Sequence, residues 1–188
     1  MAYSVWQAGT PISSPVYLDT NVLVGAVIRN QPIYLKAAQI VGALLSYQAR
    51  ILVSVLTVEE SLWALAEVSY KDIYGHGAGV RFSQRIYQRH LEEIFERHGA
   101  RMQMVSEMLR DWSEAGAALE VVPKTEAAFL AACGRTPRYM EQYQLTTADA
   151  MHLALAEDHG ATLVTSDSKL AKVGQQAACQ TPVVHVTP

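Results

Sequence analysis

The chain has 188 residues, half of them hydrophobic and 18% charged, with a net charge of −3. At roughly 150 residues per domain this is one domain, apolar enough to build a core and to exclude disorder. The acidic balance excludes a generally basic nucleic-acid coat, although not a local basic surface. Cys133 and Cys179 are far apart, which excludes a disulfide-dense scaffold and a cysteine zinc finger. No apolar run reaches the ~18 residues of a membrane span, and the first residues lack the basic start and apolar core of a signal peptide. A cytoplasmic protein with reduced thiols is expected.

Residues 1–14 read as a loose arm. Val16-Tyr17-Leu18 is a short apolar strand, stopped by Asp19-Thr20-Asn21. Helical patterning follows over 22–28 and 34–49. Ile51-Leu52-Val53 is a second strand, and 57–69 a helix. The region 70–116 is polar, with glycines at 75, 77 and 79, and reads as one or two long inserted helices. Val121-Val122-Pro123 is a third strand. A helix over 124–132 gives way to a loop at Gly134 and Pro137, which carries Arg135 and Arg138. A helix over 146–159, a strand at 162–165, a short helix near 168–173 and a strand at 183–186 complete the chain. Short continuous apolar strands alternating with helices predict a mostly parallel sheet covered on both faces. One domain over 15–188, with a helical insertion around 70–116, is expected.

Of six aspartates, Asp19 and Asp167 stand just past the C-terminal end of an apolar strand, where open α/β sheets bind ligands. Both would equally serve as helix caps. Thr57-x-x-Glu60 and Thr146-x-x-Asp149 have the form of capping boxes. Asp149 opens a helix that is apolar nearly all round, so it is expected to be buried. No Arg or Lys lies between Arg138 and Lys169 to pair with it. Two carboxylates ~5 Å apart repel by about 3 kcal/mol at an effective dielectric of ~20, so a cluster of them calls for a cation. Hard oxygen ligands suit Mg²⁺ or Mn²⁺.

The order VYLDTN, SVLTVEES and LTTADAMHLALAEDHGATLVTSD resembles the PIN domain, and the toxin-like nucleases of the VapC type within it. The resemblance covers residues 15–69 and 120–186. It implies a three-layer α/β/α sandwich and a metal site made by Asp19, Glu60, Asp149 and Asp167, with Asn21 and Thr165 in support. It implies a Mg²⁺- or Mn²⁺-dependent endoribonuclease leaving a 5′-phosphate, a homodimer, and an antitoxin protein as partner. Glu59 and Glu60 are about 100° apart on their helix. Counted from Val58, Leu62, Leu65 and Ala66, Glu59 lies nearer the buried stripe, so periodicity does not favour Glu60, and the motif register picks it.

Arg81, Arg85 and Arg89 form one helical stripe in a segment, 81–110, whose net charge is +2. With Arg135 and Arg138 they are candidate RNA contacts, against the plainer reading of a solvated face with Glu–Arg pairs. His152, three residues after Asp149, is read first as a packed or hydrogen-bonded histidine, and Trp63 and Trp112 as core or interface residues rather than base-stacking platforms. Two other functions compete. A PIN fold could be a non-catalytic binding module. The D-x-N-V and V-T-S-D segments faintly resemble haloacid-dehalogenase phosphatases, but Asn21 stands where their general acid would.

Overall fold

Strands with no polar alternation must bury both faces, and Val16–Leu18, Ile51–Ser54 and Thr162–Thr165 do. In the computed structural model, which describes residues 3–75 and 82–188, the elements in chain order are β1 (Tyr3–Val5), β2 (Val16–Leu18), α1 (Thr20–Val27), α2 (Tyr34–Ser46), β3 (Ile51–Ser54), α3 (Val55–Tyr74), α4 (Gln84–Glu114), β4 (Leu119–Val122), α5 (Glu126–Tyr143), α6 (Thr147–Asp158), β5 (Thr162–Thr165), α7 (Ser168–Val173) and β6 (Val183–His185). The strands form one six-stranded sheet in the order β1-β6-β5-β2-β3-β4, and every pairing is parallel.

Successive strand residues point to opposite faces, and this divides the core in two. Val16, Leu18, Ile51, Val53, Val164 and Val184 face the layer built from α1 to α4. Tyr17, Leu52, Val122, Leu163 and Val183 face α5, α6 and α7. The arrangement is the three-layer α/β/α sandwich expected. Leu163 is fully buried in the central strand β5. Leu163→Ala should therefore lower the unfolding free energy by about 2–5 kcal/mol, read from urea unfolding curves. A loss below about 1 kcal/mol would mean that this face is not closely packed.

The structure departs from the sequence reading in three places. Tyr3–Val5, inside the expected arm, pairs with Val183–His185 as an edge strand. Trp6 is buried and donates its ring N–H to the Thr10 carbonyl. A three-residue edge strand is held by its partner, so its own sequence carries little signal. The expected loop at Gly134 and Pro137 is the middle of α5. Pro137 removes one backbone donor, but Ala132, Thr136, Tyr139 and Tyr143 are buried along one side of the helix. That packing outweighs the local cost. Arg135 and Arg138 are thus helix residues. Third, α3 starts at Val55, not 57. Ser54 is its N-cap in a capping box with Thr57, which makes Thr57 the third helical residue.

The polar region expected to be helical holds α4, with a kink at His98. Ile94, Met102, Val105 and Trp112 are its buried residues. The glycine cluster lies largely beyond description: Gly75, at φ +86°, ends α3, while Gly77 and Gly79 fall outside the described residues. No described helix is long and apolar enough to cross a membrane.

Candidate active site

The strand order runs outward from the middle of the sheet in both directions, β2-β3-β4 one way and β5-β6-β1 the other. The change of direction falls between β2 and β5, and a crevice opens at the carboxyl ends of such a pair. Asp19 follows β2 directly. Its backbone N–H donates to the Val164 carbonyl of β5 at 3.0 Å, so the residue is drawn across the switch point.

Asp19 stands at the N-cap position of α1, yet its side chain makes no cap hydrogen bond. Oδ2 instead accepts from the Thr165 hydroxyl at 2.6 Å and the Asn21 amide at 3.4 Å. The residue is 3% exposed, a poor place for a carboxylate that only terminates a helix. Burial raises its pKa, against the opposing pull of His152 and Thr165.

Glu60 reaches the same crevice from the second turn of α3. Its Oε2 accepts from the Thr20 hydroxyl at 2.7 Å and lies 2.7 Å from His152 Nε2. His152 Nε2 is also 3.8 Å from Asp19 Oδ1. The ring's other nitrogen, Nδ1, lies 2.8 Å from the Tyr17 hydroxyl, which itself donates to Ser54 Oγ at 2.8 Å. With its proton directed at Ser54, Tyr17 offers His152 a lone pair. Both imidazole nitrogens thus face acceptors, the arrangement of a doubly protonated ring. Burial by itself would lower the His152 pKa, but the Glu60 bond and the charges of Asp19, Glu60 and Asp149 raise it. Burial would likewise raise Glu60, and His152 with Thr20 hold it below its ordinary value. Geometry and charge thus both favour the protonated ring between Asp19 and Glu60.

A family model described as PIN domain matches residues 16–176. The chain belongs to the PIN domain family. Two solved structures similar to this PIN chain are VapBC2 from Rickettsia felis bound to a DNA fragment from their promoter, and FitAcB from Neisseria gonorrhoeae. The first is 16% identical, covers 90% of this chain and 96% of the other, and has a TM-score of 0.49. The second is 19% identical with the same coverage and a TM-score of 0.47. No curated protein matches the chain.

In this PIN domain the four acids are not gathered equally. Ligand atoms of Asp19, Glu60 and His152 lie within 4.8 Å of one another. Asp149 and Asp167 are outside that cluster. Asp149 was expected to be buried but is half-buried, because it lies in the first turn of α6, ahead of the buried run from Ala150. Its Oδ2 accepts from the Thr146 hydroxyl at 2.7 Å, and its N–H donates back to that oxygen at 3.2 Å. Thr146 thus caps α6 as expected, while the Asp149 carboxylate meets its hydroxyl and does not close the reciprocal backbone bond of a capping box. Asp167 caps α7, with Oδ1 accepting from the Lys169 and Leu170 N–H groups at 2.7 Å each. Its own N–H donates to Thr165 Oγ1 at 2.9 Å, which ties it to the Asp19 network.

The donor set fits a hard divalent cation. Asp19 Oδ1 lies 3.8 Å from His152 Nε2, and only one Glu60 oxygen is engaged by His152 and Thr20. Two carboxylates brought this close offer the hard oxygen donors that such an ion takes.

The arginines separate into two groups. Arg97 pairs with Glu93, Arg101 with Asp72, and Arg110 with Asp111 and Glu114, as the solvated-face reading expects. Arg135 pairs with Asp158, and Arg138 is exposed. Arg85 and Arg89 are exposed and line a cavity with Tyr70 and His90. Neither has an ion-pair partner among the described residues, and Arg81 falls outside them.

Sequence reasoning underrated His152, Thr20 and Tyr17. Two signals were available. His152 is three residues from Asp149, hence on the same helix face, and Tyr17 carries a hydroxyl into a strand buried on both sides.

His152 and Asp19 are both raised, so the folded protein holds more protons than the unfolded chain above their ordinary values, and stability falls with pH there. The contribution of His152 is complete below its ordinary value of 6.5 and is lost as pH rises through the higher folded value. Urea unfolding of the metal-free protein from pH about 6 to about 9 should show this decline, and a His152→Gln variant, which keeps only the Asp19 contribution, should show less of it. The same profile in both would mean that the ring is neutral.

Proposed function

We propose that this PIN domain is a metal-dependent endoribonuclease. The observation that carries the reading is a buried carboxylate, Asp19, at a helix-cap position where it does not cap, facing Glu60 at the switch point of the sheet. Asp19 and Glu60 would hold Mg²⁺ or Mn²⁺, with Asp149 and Asp167 completing the acidic rim. Bound there, the ion lowers the pKa of a water molecule and offsets the charge that builds on the phosphate.

The chain's own groups do the rest. Thr165 and Asn21 fix Asp19 through Oδ2. Thr20 fixes Glu60, and His152 keeps a proton at Nε2 beside it. Asn21 donates to Asp19 and has no acidic proton to give, which counts against the phosphatase alternative. Arg85, Arg89 and Arg138 are exposed cations that would meet RNA phosphates. The likeness of the three sequence blocks to toxin-type PIN nucleases extends the proposal to a homodimer and an antitoxin partner.

The test is cleavage of a panel of structured and single-stranded RNAs by the full chain, with Mn²⁺ or Mg²⁺, with EDTA, and beside Asp19→Asn. Metal-dependent cutting confined to the wild type is expected. Cutting that survives both EDTA and the substitution would overturn the proposal.

A further inference from the structure

Glu59 immediately precedes the acid that meets His152, but one residue turns it about 100° around α3. It lines a separate cavity of about 390 Å³ between α3 and α4, with Leu56, Glu60 and Trp63 on one wall and Gln84 and Tyr87 on the other. That volume is near the lower end of the ~300–1,000 Å³ of small-molecule sites. Trp63, read from sequence as a core or interface residue, is partly buried, and its ring meets Tyr87 at 5.6 Å between centroids with a 54° tilt. Phe82 packs on Trp63 at 4.9 Å, and the indole and the Tyr87 ring both line the cavity, where they offer aromatic surface to a ligand. Glu59 and Gln84 are exposed at the cavity, and neither has a hydrogen-bond or ion-pair partner among the described residues.

We propose that this cavity receives one unpaired nucleobase of the RNA, next to the bond that is cut, and that Glu59 selects guanine there. The inference rests on the nuclease reading. Its occupant follows from charge. Both charged lining groups are carboxylates and no lysine or arginine lines the cavity, so a phosphate is repelled. A neutral aromatic ring with N–H donors is accepted. Stacking on aromatic side chains is the general means of holding an unpaired base. Guanine presents N1–H and an amino group side by side to a carboxylate, whereas uracil presents one N–H between two carbonyls. Glu60 borders both this cavity and the acidic centre, which makes the selected base a neighbour of the scissile phosphate. Arg85, the residue after Gln84, and Arg89 stand on the adjoining face of α4, where the strand's phosphates would run.

The experiment maps cleavage junctions in a random single-stranded RNA pool by sequencing. Wild type should favour guanine over uracil at one nucleotide flanking the cut by about five-fold or more, the worth of one partly exposed hydrogen-bonding group. In Glu59→Gln and in Gln84→Ala that ratio should fall toward one. Because the junctions compete within one pool, the ratio is independent of overall rate. Cutting without this bias, or with a bias that both variants keep, overturns the base pocket and leaves the nuclease standing. A parallel titration with guanosine and uridine 5′-monophosphates, read by tryptophan fluorescence, separates the two ideas. Quenching by the guanosine nucleotide alone, abolished in a folded Trp63→Phe variant and evened out by Glu59→Gln, without RNA cutting, upholds the pocket and removes the nuclease. No cutting and no quenching removes both.

Discussion

Asp19→Asn should reduce metal-dependent RNA cleavage by on the order of 10²–10³-fold or more, the scale seen when one electrostatic catalytic group is removed. It should also make the metal-free protein more stable. Burial dominates the environment of Asp19 and favours its neutral form, despite His152 and Thr165. An asparagine has nearly the same shape, still accepts from Thr165, and carries no charge to desolvate. At about 2–4 °C per kcal/mol for a chain of this size, the melting temperature should rise by a few degrees. Mn²⁺ should raise the melting temperature of the wild type and leave that of the variant unchanged, since a ligand that binds only the folded form stabilises it. Differential scanning fluorimetry with and without Mn²⁺ reads both effects. A variant that melts lower than wild type would show that the Asp19–His152 attraction exceeds the cost of burial. A gain in function with stability unchanged would contradict the placement of Asp19 altogether.

The second large effect concerns His152. His152→Ala leaves Asp19 and Glu60 without the cation between them and deprives Tyr17 of a partner. Removing one member of a buried charged group costs about 3–5 kcal/mol, so the melting temperature of the metal-free variant should fall by on the order of 10 °C. His152→Gln can still donate one hydrogen bond and should lose less. Mn²⁺ should restore more stability to His152→Ala than it adds to wild type, because it brings positive charge to the place that the imidazolium held. Equal Mn²⁺ shifts in the two proteins would mean that the ring and the ion do not share a site. Tyr17→Phe separates the two contacts of the ring: it removes the hydroxyl while leaving the acids and His152 in place.

The cluster also shows how this fold accommodates two neighbouring acids at its switch point. Asp19 and Glu60 would repel one another with nothing between them. Here an internal histidine lies 2.7 Å from one and 3.8 Å from the other. Thr20, Thr165 and Asn21 supply the remaining donors. These bonds hold both carboxylates in place at the switch point.

Much of this was legible in the chain itself. Continuous apolar triplets and quartets, such as Val16-Tyr17-Leu18 and Thr162-Leu163-Val164-Thr165, can only be strands with two covered faces, and the structure buries every residue of both. The i, i+3, i+4, i+7 set Ala37, Ile40, Val41 and Leu44 places α2 on the core. Asp19 and Thr165 were legible because a polar residue that ends an apolar strand must emerge at the edge of the sheet. Local signals failed where a distant partner decided the outcome. Tyr3–Val5 becomes a strand because β6 offers an open edge. Gly134 and Pro137 stay helical because α5 packs on α6 through residues on either side of them.

The sequence by itself determined the layers of the fold, the family, and which acids stand at strand ends or helix starts, since each of these depends on neighbours along the chain. It could not divide those acids by task. Capping and metal binding ask for the same residue types at the same positions. Only the tertiary structure showed that Asp167 and Asp149 have cap partners while Asp19 has none. Only the tertiary structure showed what Glu59 and Glu60 each meet: His152 and Thr20 for Glu60, and the α3–α4 cavity for Glu59. The contact between His152 and Glu60 joins residues 92 positions apart. Charges that distant in sequence interact strongly only when folding brings them into one poorly solvated crevice.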